Sequence, residues 1–140
     1  MANNIDKSTT LEQLENDYWQ KPEYDSRLVQ RTHALRKKPI KDFTVEDLRL
    51  MIGQNIGLEY LIPIAISILE KDFLAEGDFY KGDLLKAVLS SEETYWKKNK
   101  ELWQKTVGIY EQQEDTIGQI DYSDIEEKIK AAFKHYRRIN

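Results

Sequence analysis

The sequence predicts an all-α fold: a helical bundle of about six helices around a central apolar helix at about 58–72. Three observations carry that reading. Residues 48–69 read LRLMIGQNIGLEYLIPIAISIL, and between Leu61 and Leu69 the only polar side chain is Ser67. Apolar residues elsewhere recur at helical spacing, and no strand-like alternation of useful length appears. The chain is 33% charged with only three prolines and six glycines in 140 residues, a mixture suited to charge-coated helices rather than a sandwich or a disordered chain. A helix apolar on every side has no solvent face, so other elements are expected to surround 58–72. At about 1.5 Å per residue it would be roughly 22 Å long. Glu59 and Ser67 interrupt it further, and a bilayer span needs about 20 apolar residues. No membrane association is expected.

Residues 1–9 are polar and read as a flexible N-terminus, leaving 10–140 as one helical domain. Thr10 and Gln13 have the form of a capping box, so a first helix is expected over about 11–19, stopped by Pro22. Asp25 or Ser26 can cap a second helix at about 26–37. Leu28, Val29, Thr32 and Leu35 are assigned to its inner face and the basic residues to the outer one. Thr44 can cap a third helix at about 45–53, with Asp47 favourable at the positive end of the helix dipole. A C-cap at Gly53 or Asn55 then breaks the chain before the central helix. Within that helix Pro63 implies either a late start or a kink.

The stretch DFLAEGDFYKGDLL after Lys71 reads as an ordered loop. Gly77 and Gly82 supply turn conformations there, and Asp83 caps a short helix at about 84–90. Tyr95 and Trp96 lead into a helix at about 100–113, capped by Asn99, with Leu102, Trp103, Val107 and Tyr110 facing inward. Ser123 and Glu126 form a capping box ahead of Ile125, Ile129, Ala132, Phe133 and Tyr136 in the last helix.

The net charge of −4 is unevenly spread. Arg27, Arg31, Arg36, Lys37, Lys38 and Lys41 bring residues 27–41 to +6, while seven acids and no base bring 111–127 to −7. Residues 12–25 stand at −4. Such blocks either attract one another within the fold or present an acidic face to a basic protein.

Catalytic signatures are few. There is no cysteine, so disulfides and thiolate chemistry are excluded. His33 and His135 are isolated, and no phosphate-cradling glycine motif or G-x-S-x-G occurs. No cofactor, metal or catalytic residue is expected, and an acidic chain with a basic helix free of aromatics argues against nucleic acid. The rival reading is an enzyme or small-ligand-binding protein using the acidic loop from Glu76 to Asp83. Protein recognition fares better. Aromatics sit beside acids at Asp17-Tyr18-Trp19, Glu23-Tyr24-Asp25 and Glu76-Gly77-Asp78-Phe79-Tyr80. Tyr18, Trp103 and Phe133 read as core. Trp19, Tyr24 and Tyr80 suit core or interface equally. The candidate partner-binding set is Trp19, Glu23, Tyr24, Asp25, Glu76, Asp78, Tyr80 and Asp83.

Three strings go further. RKKPIKDFTVEDLRLMIGQNIGLEYLIPIAI at 36–66, LAEGDFYKGDLL at 74–85 and LEQLENDYWQKPEYDSRLVQR at 11–31 resemble the small bacterial immunity proteins of contact-dependent growth-inhibition (CDI) systems. The resemblance spans about 11–105; the part from Val107 onward is less distinctive. It implies a cytoplasmic, non-enzymatic inhibitor that binds the toxic C-terminal domain of a sibling cell's effector, as a monomer in a 1:1 complex. Many such toxins are nucleases with basic clefts, so it further implies an acidic protein that occludes the active site.

Overall fold

The computed structural model describes residues 6–21 and 26–140. Among these residues the chain forms nine α-helices and one 3-10 turn, with no strand beyond a single bridge between Glu76 and Lys81. No helix among them is long and apolar enough to cross a membrane.

Helix α1 (Leu11–Glu15) opens with the expected capping box. Thr10 Oγ1 accepts from the Gln13 amide at 3.3 Å, and Gln13 Oε1 accepts from the Thr10 amide at 3.0 Å. It is shorter than the expected 11–19 because Asn16 turns left-handed, at φ 50°, and closes the helix. Tyr18 is thereby carried outside the helix and stands 59% exposed rather than in the core.

Helix α2 (Arg27–Arg36) is capped by Ser26, whose hydroxyl accepts from the Val29 amide at 3.1 Å. Its faces differ from expectation in two places. Leu28 points outward, and Arg36 lies inside at 2% exposure. The basic residue turns inward because Glu15 offers it a carboxylate and Asp17 a backbone carbonyl. After Pro39 comes the 3-10 turn Ile40–Asp42, where the amides of Ile40 and Lys41 donate to the carbonyls of Thr9 (3.0 Å) and Lys7 (2.8 Å).

Helix α3 (Val45–Gly53) begins at the capping box of Thr44 and Asp47, and Asp47 also takes the Lys38 ammonium at 2.7 Å. Gln54 closes it and Asn55 follows in the left-handed conformation, φ 57°. Helix α4 (Leu58–Lys71) continues past Pro63 rather than starting late. Leu58, Leu61, Ile62, Ala65, Ile66 and Leu69 form its fully buried stripe. The helix is not enclosed on all sides: Tyr60, Pro63, Ile64 and Ile68 are half-buried, and Glu59, Ser67 and Glu70 meet solvent.

Beyond the loop at 72–82, helix α5 (Asp83–Leu89) makes the most extensive packing in the molecule against α3 and also touches α4 and α9. Two short helices were not anticipated, α6 (Glu93–Lys98) and α8 (Glu114–Ile117), on either side of α7 (Lys100–Gln112). Asn99 does not cap α7 through its side chain; its amide donates to the Tyr95 carbonyl at 2.7 Å. In α9 (Ser123–Arg137) the expected capping box is absent. Tyr122 takes the N-cap position, so Ser123 is already helical, and Glu126 pairs with Lys130 at 2.7 Å.

The C-terminal half is stitched to the core by aromatics. Tyr110 and Phe133 stack with centroids 3.6 Å apart, and Trp96 meets Tyr136 edge-on at 4.9 Å. The Trp96 indole donates to Ser91 Oγ at 2.9 Å, and the Trp103 indole to the Tyr136 carbonyl at 3.0 Å. These bonds satisfy the polar ends of otherwise apolar rings.

Leu61 lies on the buried stripe with no exposed surface. Leu61→Ala removes apolar contacts and leaves a cavity, and should lower unfolding free energy by about 2–5 kcal/mol. Denaturant melts of the two proteins check this.

Candidate functional site

The loop between α4 and α5 folds back on itself before α5 begins. The Gly82 amide donates to the Leu74 carbonyl at 3.2 Å, and Gly82 takes φ 92°, which an L side chain rarely adopts. Asp83 was expected to cap α5, but Gly82 holds the N-cap position and Asp83 is the first helical residue. Its carboxylate turns back into the loop and accepts from the amides of Gly77 (2.7 Å), Phe79 (3.1 Å) and Tyr80 (3.4 Å). Buried to 3% exposure, it satisfies amides that would otherwise be orphaned away from water.

A second buried carboxylate grips the same loop from α3. Glu46 Oε1 accepts from the Asp78 amide at 2.8 Å, and its two oxygens take a bidentate pair of 2.6 Å bonds from Arg49. Arg31 of α2 lies 3.8 Å away, and Arg49 Nε lies 4.0 Å from Asp83. The hydrogen bonds from Arg49, helped by the Asp78 amide, hold the Glu46 carboxyl below its ordinary 4.5 against the opposing effect of burial. Gly77 is required for this approach. It was expected to supply a turn conformation, but its φ is not positive. A Cβ there would stand 2.5 Å from Glu46 Oε1 and 3.2 Å from its Cα.

The loop presents Glu76, Asp78 and Lys81 to solvent, with Phe79 67% exposed. The Arg49 guanidinium lies beneath the Phe79 ring, 4.4 Å from its centroid. Tyr80 is half-buried beside it, and burial, then Asp83, raises its phenol above the ordinary 10.0. Behind Phe79 is an open recess of about 350 Å³ in the crease between α3 and α5, whose walls include Gly53, Tyr80, Ala87 and Ser90.

The other described candidate, Trp19, sits apart from this loop in the α1–α2 connection. Its ring lies over the Arg36 guanidinium at 4.3 Å and edge-on to His33 at 5.0 Å, and its indole donates to Asp17 Oδ2 at 3.3 Å. Glu23, Tyr24 and Asp25 lie outside the described residues. Glu76, Asp78 and Tyr80 therefore share one loop, facing or edging solvent, while Asp83, the first residue of α5, is committed beneath it. Sequence reasoning missed Glu46 and Arg49; their i,i+3 spacing with opposite charge was a usable signal. It also left out Phe79.

A pocket combining Glu76, Asp78 and a histidine would favour the rival reading of the Glu76–Asp83 loop as a small-molecule site. The recess behind Phe79 is lined by none of these, and a second one beside Glu76 contains no histidine. His135 is engaged elsewhere, with Nε2 2.6 Å from Glu93 Oε1. Among the described residues no group of three or more His, Asp or Glu is placed to hold a metal ion.

Fold and loop together define a small all-α protein that displays an acidic, aromatic loop on a rigid frame. The family model of CDI immunity proteins matches residues 13–106, more than half of the chain, and the chain belongs to that family. Membership implies a cognate toxin protein as partner. No curated protein and no solved structure matches the chain.

Two predictions follow from the buried carboxylates. Because the folded pKa of Glu46 is depressed, its contribution to stability is present above pH 4.5 and lost as pH falls through the lower folded value. The Glu46 side-chain carboxyl carbon resonance should titrate with a midpoint below 4.5. Gly77→Ala should force the loop off Glu46, lowering stability by about 1–3 kcal/mol and accelerating hydrogen exchange at the Asp78 amide.

Proposed function

We propose that this protein binds the toxic C-terminal domain of its cognate CDI effector in the cytoplasm and neutralises it by covering the active site, which we take to be that of a nuclease. The observation that carries the reading is the exposed trio of Glu76, Asp78 and Phe79 on a loop whose backbone is fixed from inside. Nuclease clefts are basic because they hold phosphates, so carboxylates are natural substitutes for the substrate charge. A loop already in its bound shape loses little conformational freedom on association, and affinity rises accordingly. Trp19, Glu23, Tyr24, Asp25 and Tyr80 complete the proposed contact set, with Asp83 shaping the loop from beneath.

Mixed with that toxin domain, the protein should form a 1:1 complex with a Kd of about 1 nM or below. Charge reversal at Glu23, Asp25 or Asp78 should slow association about tenfold at low salt, with the effect shrinking as ionic strength rises. Stopped-flow mixing measures this. Unchanged rates in all three variants would remove the acidic face from the interface while leaving immunity itself open. Hydrolysis of a small substrate by the isolated protein would support the rival instead.

A further inference from the structure

An open recess of about 350 Å³ lies behind Phe79, where Arg49 and Gly53 of α3 face Asp83, Lys86, Ala87 and Ser90 of α5. Gly53 leaves space unfilled: a Cβ added there meets nothing within 4 Å. The Phe79 ring projects into solvent while Arg49 lies below it. Arg49 is itself pinned by both oxygens of Glu46. An exposed aromatic beside an open recess of mixed lining, on the loop that also presents Glu76 and Asp78 to solvent, has the layout of an interface centre with charged groups around it.

Resting on the reading above, we infer that Phe79 and the recess form a two-way interlock with the toxin domain: the Phe79 ring inserts into an apolar pocket of the toxin, and an aromatic or aliphatic toxin side chain lodges between Phe79 and Gly53. The rim acids match the basic surround of that toxin pocket and govern approach. The interlock governs escape. Arg49 walls the recess and lies under the Phe79 ring, and Glu46 holds it there through both carboxylate oxygens.

Two variants test the two halves without endangering the fold, because Phe79 is exposed and Gly53 faces open space at the end of α3. The probe is the purified C-terminal toxin domain of the cognate CDI effector. Phe79→Ala should raise the dissociation rate about thirtyfold and leave association within about twofold. Gly53→Leu should leave the melting temperature unchanged or raise it, since leucine favours helix over glycine. It should nonetheless speed dissociation about tenfold by occupying the recess. Wild-type dissociation for Phe79→Ala overturns the inserted ring, and wild-type dissociation for Gly53→Leu overturns the lodged side chain. Either result with tight wild-type binding leaves the immunity reading standing. Failure of the wild-type protein to bind that domain overturns both.

Discussion

Two distant pieces of chain and a neighbour on its own helix meet at the carboxylate of Glu46. Arg49 reaches it from the next turn of α3, Arg31 from α2, and the Asp78 amide from a loop 32 residues away. A carboxylate this far from water is destabilising unless its lone pairs are matched, and removing one partner strands the others. Here the matching is mutual. Arg49 also lies near Asp83, and Asp83 binds three loop amides, so the two buried acids hold the loop backbone directly and have one guanidinium between them. The positions of Asp78 and Phe79 follow from that arrangement rather than from local turn preference.

Such a clasp needs a frame that does not move. The buried stripe of α4 supplies one side of it, and α5, packed against α3, α4 and α9, supplies the other. The aromatic contacts of Trp96, Tyr110, Phe133 and Tyr136 join the C-terminal helices to the same core. Residues 107–140 lie beyond the family match, yet α9 packs directly on α5, the helix that carries Asp83. The placement of the loop thus depends on packing through the whole core. Binding that draws on a preformed surface keeps more of its interaction energy.

The legible parts of the sequence were those set by near neighbours. Thr10 and Gln13 close the expected capping box, Thr44 caps α3 as expected, and the apolar run at 58–71 gives α4. The same kind of signature failed at Ser123 and Glu126, because α9 starts one residue earlier and moves both residues out of register. Trp19 was placed in a helix that Asn16 ends first. Arg36 read as a surface cation, since only tertiary structure brings Glu15 and Asp17 to it. In the loop, the chemistry of Asp83 was right in kind, a carboxylate accepting backbone amides, but the amides lie upstream instead of in α5. Glu46 and Arg49 could be seen as a helical pair, whereas their grip on Asp78 spans too much sequence to be read from spacing.

Family membership and loop geometry converge on one physical picture, a helical body that holds a charged and aromatic projection ready for a toxin protein. The crystal structure of the complex with the cognate toxin domain is the most direct examination of it. The account predicts that Phe79, 67% exposed in the free protein, becomes almost completely buried in the toxin, with the Glu46 and Asp83 bonds to the loop unchanged. A toxin domain seated on another face, with Phe79 still in solvent, would contradict it.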